Sequence, residues 1–218
     1  MVDTITILEY IGIFAFAISG ANVAIQEKLD LLGIYILATV TAMGGGIIRD
    51  IVVNEGIPIF FNSQPAVILI LCSATLAIFL KGRWKYKTLF AFIDAIGLAA
   101  FVVSSGLKGI DNGYNLMLFL FVTSITGVGG GMLRDIITNR KPDVFRKEIY
   151  CVAGMIGALI LWFMNQYVER YLSVSVSLIF IVIIRMVCYL KNINLPIIVC
   201  PDDAVCTLVQ KEESQEIG

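Results

Sequence analysis

The sequence predicts an all-α polytopic membrane protein: seven transmembrane helices, arranged as two inverted three-helix repeats plus a seventh helix. Three observations predict it. Of the 218 residues, 58% are hydrophobic and only 15% are charged, with a mean hydropathy of +0.89; an ordinary soluble domain is about 25% charged. The apolar residues fall into runs of about 20, the length that crosses a bilayer as a helix. Within the second run, Thr41-Ala-Met-Gly-Gly-Gly-Ile-Ile-Arg-Asp50 returns in the fifth as Thr126-Gly-Val-Gly-Gly-Gly-Met-Leu-Arg-Asp135.

The first span covers residues near 4–25. Its leading residues lack the basic region of a cleavable signal peptide, so they read as the start of the span itself. Gln26-Glu-Lys-Leu-Asp30 breaks the run, and the second span follows over 31–53. Asn54-Glu-Gly-Ile-Pro58 ends it, and a short third span covers 65–80. After the basic stretch Lys81-Gly-Arg-Trp-Lys-Tyr-Lys87 come spans over 88–107 and 114–137, divided by Lys108-Gly-Ile-Asp-Asn-Gly113. The last two spans cover 149–168 and 172–190, beyond Asn139-Arg-Lys-Pro-Asp143. One transmembrane domain thus occupies residues 1–198, and 199–218 form a short polar, acidic tail of the composition that does not fold alone.

A shift of 85 residues lays the first half on the second without a gap, about 5–80 on 90–165. Glu9 falls on Asp94, Gly12 on Gly97, Phe16 on Phe101 and Ser19 on Ser104. Three spans per copy is an odd number, so the second copy enters the membrane upside down. Basic residues gather in the loops after spans three and five, at Lys81, Arg83, Lys85, Lys87, Arg140, Lys141, Arg146 and Lys147. The positive-inside rule then puts the N-terminus outside and the C-terminus in the cytoplasm of a cell-membrane protein.

Each glycine in a helix interior costs about 1 kcal/mol relative to alanine. Gly44–Gly46 and Gly129–Gly131 therefore predict a break or kink in spans two and five, opening a path for a solute; close helix packing is the competing reading. Charges deep in a span need partners or a water-filled cavity. Arg49, Asp50 and Glu9 fall in the outer half, and Arg134, Asp135 and Asp94 in the inner half, so each repeat is expected to pair its arginine with its own acid, Glu9 with Arg49 and Asp94 with Arg134. The hydroxyls of Thr41, Thr126, Ser19 and Ser104 stand beside these features as candidate pore groups, although serine and threonine often bond to their own helix. Gly12, Ala15 and Ser19, repeated as Gly97, Ala100 and Ser104, read as packing seams.

Histidine is absent, and no nucleophile elbow or phosphate loop occurs, so no enzyme is expected. No basic recognition face points to nucleic acid, and no cofactor or resident metal is implied. The five cysteines lack CxxC spacing and read as small apolar residues.

Through Gly44-Gly-Gly-Ile-Ile-Arg-Asp50 and Gly129-Gly-Gly-Met-Leu-Arg-Asp135, with the seven spans and the three-plus-three repeat, the chain resembles the prokaryotic branch of the trimeric intracellular cation (TRIC) channel family, which also carries a glycine transporter domain label. The resemblance implies a homotrimer with a pore through each protomer, lined by kinked second and fifth helices. It implies mainly K+ permeation, with Na+ also carried and membrane lipid around it. It assigns the pore role to both glycine triplets and to Arg49 and Arg134, with Asp50 and Asp135 beside them. Animal members have a lysine-containing motif after the fifth-helix kink that binds an inositol lipid. Here that place reads Met132-Leu-Arg-Asp135, so the lipid site is not carried over. Two functions stay open on the residues alone: a cation channel, or a carrier of a small amino acid such as glycine, held between an arginine and the acids.

Overall fold

The computed structural model describes residues 3–54, 56–80, 87–142, 150–191 and 193. Among them the chain forms seven α-helices: α1 Thr4–Gln26, α2 Leu31–Val52, α3 Gln64–Phe79, α4 Lys87–Asp111, α5 Leu116–Ile137, α6 Tyr150–Tyr167 and α7 Arg170–Lys191. A single 3-10 turn, Ile59–Asn62, precedes α3. Six of the helices are long and apolar enough to cross a membrane. The third, at 16 residues, spans about 24 Å at 1.5 Å per residue, less than a hydrocarbon core of about 30 Å. The basic loop residues Lys81, Arg83 and Lys85, the loop residues Arg146 and Lys147, and the tail 199–218 lie outside the described residues.

Local chemistry marks the same punctuation in both halves. Asp30 caps α2 by accepting from the Gly33 amide at 2.7 Å, and Asn115, its counterpart, caps α5 by accepting from the Leu118 amide at 2.9 Å. Side-chain oxygens at this position satisfy amides that the first helical turn leaves without partners. The turns before these caps pass through left-handed backbone at Lys28 (φ 57) and Gly113 (φ 68), and the helices end on left-handed Asn54 (φ 57) and Asn139 (φ 53). Asparagine accepts that conformation more readily than most side chains.

Polarity is arranged for lipid. Leu32, Phe79, Met117 and Leu190 are exposed on the outside, while Ser19, Asn22, Thr41, Arg49, Asp50, Asp94, Arg134 and Arg185 are buried. Two apolar cores hold the bundle. One gathers α1, α2 and α3 and takes in Phe101 from α4. The other gathers α4, α5, α6 and α7 and takes in Ile5 and Leu8 from α1. Each half thus lends residues to the core of the other.

The seam between them consists of contacts that exchange in pairs under the 85-residue shift. Gly12 packs on the Phe101 ring and Gly97 on the Phe16 ring. Gly45 meets the Thr126 carbonyl, and Gly130 the Thr41 carbonyl. Gly44 faces Leu133, and Gly129 faces Ile48. The two phenylalanines pack against one another, their ring centroids 5.2 Å apart and their planes tilted by 57°.

Candidate functional site

Helix α2 runs unbroken through Gly44–Gly46, and α5 through Gly129–Gly131. A break in either helix is therefore not what the residues form. The first two glycines of each triplet instead let α2 and α5 cross backbone to backbone. A Cβ at Gly45 or Gly130 would collide with the carbonyl of the opposite helix. Without side chains, the two backbones approach as small-residue interfaces in membranes do. The third glycine differs. Gly46 has nothing within 4 Å of where a Cβ would sit, and Gly131 faces the Tyr150 hydroxyl at 3.7 Å and the Arg134 guanidinium at 3.8 Å.

That open space beside Gly46 belongs to a cavity of about 170 Å³, bordered by Thr6, Glu9, Tyr10, Arg49, Asp50, Ser63 and Phe101 among others. One turn past the triplet, Arg49 turns back to this cavity. Its Nε donates to Asp50 Oδ1 at 2.8 Å, and its terminal nitrogen lies 3.4 Å from Glu9 Oε1. Lys108, at the end of α4, donates to the same Glu9 oxygen at 2.6 Å. The side chains of Glu9 and Lys108 remain 21% and 18% exposed, so this outer cluster reaches solvent.

The second copy builds the same triad and seals it. Arg134 Nε donates to Asp135 Oδ1 at 2.9 Å, and its terminal nitrogen donates to Asp94 Oδ1 at 3.0 Å. Ser19 bridges the pair: its hydroxyl accepts from Arg134 at 2.5 Å and donates to Asp94 at 3.1 Å. Tyr150, opening α6, donates its hydroxyl to the other Asp94 oxygen at 2.8 Å. Arg185 of α7 covers the Tyr150 ring at 4.5 Å, and Phe90 lies 5.5 Å from the Arg134 guanidinium. Asp94, Arg134 and Asp135 are each only 4% exposed. Charges so deeply held depend on partners for every oxygen and nitrogen.

Other hydroxyls turn inward to their own backbone. Thr41 donates to the Leu37 carbonyl and Thr126 to the Val122 carbonyl, both at 2.6 Å. Ser104, the counterpart of Ser19, donates to the Phe101 carbonyl at 3.2 Å, while Glu9 is taken by Lys108. Three contributors escaped the sequence reading. Tyr150 opens a span, where an aromatic residue reads as an interfacial anchor. Lys108 reads as a loop residue. Arg185 did leave a signal: an arginine inside an apolar span is a site by default.

Comparison with known proteins accounts for the doubled geometry. A family model described as a glycine transporter matches twice, over residues 6–82 and 91–166. The chain belongs to that family. A membrane protein of Bacillus subtilis, YvgT of the UPF0126 group, is 36% identical over 87% of this chain and 94% of its own length. Among solved structures, one from a study of conductance through TRIC cation channels shares 31% identity, covers 92% of this chain and 100% of that one, and superposes with a TM-score of 0.83. The TRIC channel orthologue of Rhodobacter sphaeroides shares 25% identity over 87% and 98% of the two chains, with a TM-score of 0.82. The chain is accordingly an all-helical, multi-pass membrane protein of the TRIC fold and no enzyme.

Proposed function

We propose that this chain is a monovalent cation channel of the cell membrane, carrying mainly K+ through a path within each protomer of a homotrimer. Its two halves act as inverted copies, with the N-terminus outside. The likeness to TRIC cation channels supports this class, and the geometry supports the route. The carrying observation is the cavity in which the outer triad and Gly46 meet. Phe101 is on its border and packs against Phe16; one turn further along α1, Ser19 bonds Asp94 of the inner triad. An apolar pair between two polar clusters is a constriction that closes by excluding water. In this reading Gly46 and Gly131 line the path, while the other triplet glycines set the distance between α2 and α5.

The test is current through the purified protein in planar bilayers with symmetric KCl, before and after millimolar glycine. Unitary, cation-selective steps indifferent to glycine are expected. Phe101→Ala should raise the open fraction, since it removes half of the pair. Saturable glycine uptake into vesicles without unitary current would overturn the channel reading.

One observation favours that second reading. The outer cavity offers a guanidinium and two carboxylates together, with the start of α3 at Ser63 on its border. A glycine carboxylate would lie toward Arg49 and that helix terminus, and its ammonium toward Glu9.

A further inference from the structure

The cavity beside Gly46 has a wall of mixed chemistry. Arg49 borders it, although this residue is only 5% exposed. Its described bonds run from Nε to Asp50 and from Nη1 to Glu9, and Nη2 takes part in neither. A buried guanidinium that keeps a nitrogen in reserve at a cavity wall can receive an anion, and a carboxylate matches its planar donors. Three aromatic rings border the same space, those of Tyr10, Phe60 and Phe101. Ring faces attract a cation, quaternary ammonium above all, since its methylated charge asks for no hydrogen-bond acceptor. Glu9 adds a carboxylate whose described donors, Lys108 and Arg49, both bind Oε1. The second copy does not repeat the arrangement. Tyr10 falls on Ala95, and Gly131 meets Tyr150 and Arg134 where Gly46 faces open space.

We propose that the outer cavity binds a small zwitterion with a methylated ammonium. Its carboxylate lies on Arg49, its methyl groups lie against Tyr10, Phe60 and Phe101, and Glu9 balances its positive charge. The cavity, at about 170 Å³, is smaller than the roughly 300 Å³ at which pockets for drug-sized ligands begin, so the ligand has few heavy atoms. The primary ammonium of glycine suits this wall less well. It needs acceptors for three N–H donors, and the rings supply none. The bound zwitterion occupies the outer end of the proposed cation path.

The site can be detected without conduction, so its failure and that of the channel reading are distinguishable. Equilibrium dialysis of the full chain in detergent against radiolabelled trimethylglycine measures it directly. Saturable binding, roughly millimolar, is expected in the unaltered protein and should be lost in Gly46→Leu, whose side chain fills the cavity. Phe60→Ala should weaken binding roughly fivefold, the effect of one ring–cation contact. Unlabelled glycine, acetate and tetramethylammonium should each compete roughly tenfold more weakly than unlabelled trimethylglycine. Tetramethylammonium competing as well as trimethylglycine overturns the part of Arg49. Acetate or glycine competing equally well overturns the part of the rings. No saturable binding, or binding unchanged in Gly46→Leu and Phe60→Ala, overturns the site. Should Gly46→Leu fail to fold, Phe60→Ala and the competitors decide. Specific binding by a protein that passes no unitary current removes the channel reading and leaves the site standing.

Discussion

The two triads of this protein use the same residues in different surroundings. Around Arg49 the cluster opens into a cavity of about 170 Å³. Around Arg134 the cluster is closed in by Tyr150, Phe90 and Ser19. The repeated sequence supplies the same charges twice, and the surrounding residues, Ser63 and Ala66 around the start of α3 on one side and Tyr150 of α6 with Phe90 of α4 on the other, set how open each copy is. Water tolerates an imperfect pair, as in the 3.4 Å separation of Arg49 from Glu9. A sealed site has no such tolerance, and the inner acid accordingly has three donors, Arg134, Ser19 and Tyr150.

The strongest way to break this comparison is at the helix crossing that both clusters share. Gly45→Leu and Gly130→Leu should each abolish monodisperse, folded protein, since even a Cβ there strikes backbone. Gly46→Leu, one residue along, should fold normally and block flux by filling the outer cavity. Size-exclusion profiles and flux into vesicles read the two outcomes. A well-folded Gly45→Leu would show that the crossing is looser than the glycines suggest.

Next in size is the contrast between the acids. Asp94→Asn leaves Arg134 with Asp135 alone and weakens the bonds from Ser19 and Tyr150, and a cost of about 3 kcal/mol, the lower end for a broken buried pair, is expected. Glu9→Gln acts where solvent and cavity can compensate, and about 1 kcal/mol or less is expected. Thermal unfolding in one detergent compares them directly; equal shifts would mean that the outer cluster is as dry as the inner one. A smaller effect belongs to Tyr150→Phe, which removes only the donor to Asp94 and should cost about 1–3 kcal/mol. The smallest concerns the turns. Lys28 holds left-handed backbone where the second copy has Gly113, so Lys28→Gly should stabilise by roughly 1 kcal/mol. Destabilisation by this change would show that the lysine side chain contributes more than its backbone costs.

Much of the architecture was legible in the residues. Span limits agree with the helices to within a few positions because hydropathy and the caps at Asp30 and Asn115 act locally. The partnership of each arginine with its own acid was legible for a similar reason: an unpaired charge in lipid is too costly, and each copy offers the needed acid. For the glycine triplets the sequence offered two roles, a kink and a packing seam, and did not choose between them. Propensity counts glycine as a helix breaker, but in lipid the helix keeps its hydrogen bonds because nothing else can satisfy them. What the triplets then do depends on the helix placed against them.

The membrane class, the duplication, the helix limits and the pairing of each arginine with the acid of its own copy can be read from the residues alone. All follow from short-range chemistry and from the energetic demand of lipid on polar groups. Which glycines touch backbone and which border a cavity, the meeting of Phe16 with Phe101, the bond from Lys108 to Glu9 and the cover of Tyr150 by Arg185 come from tertiary packing alone. Those contacts join residues far apart in the chain, and their geometry exists only once the two halves have packed across their common seam.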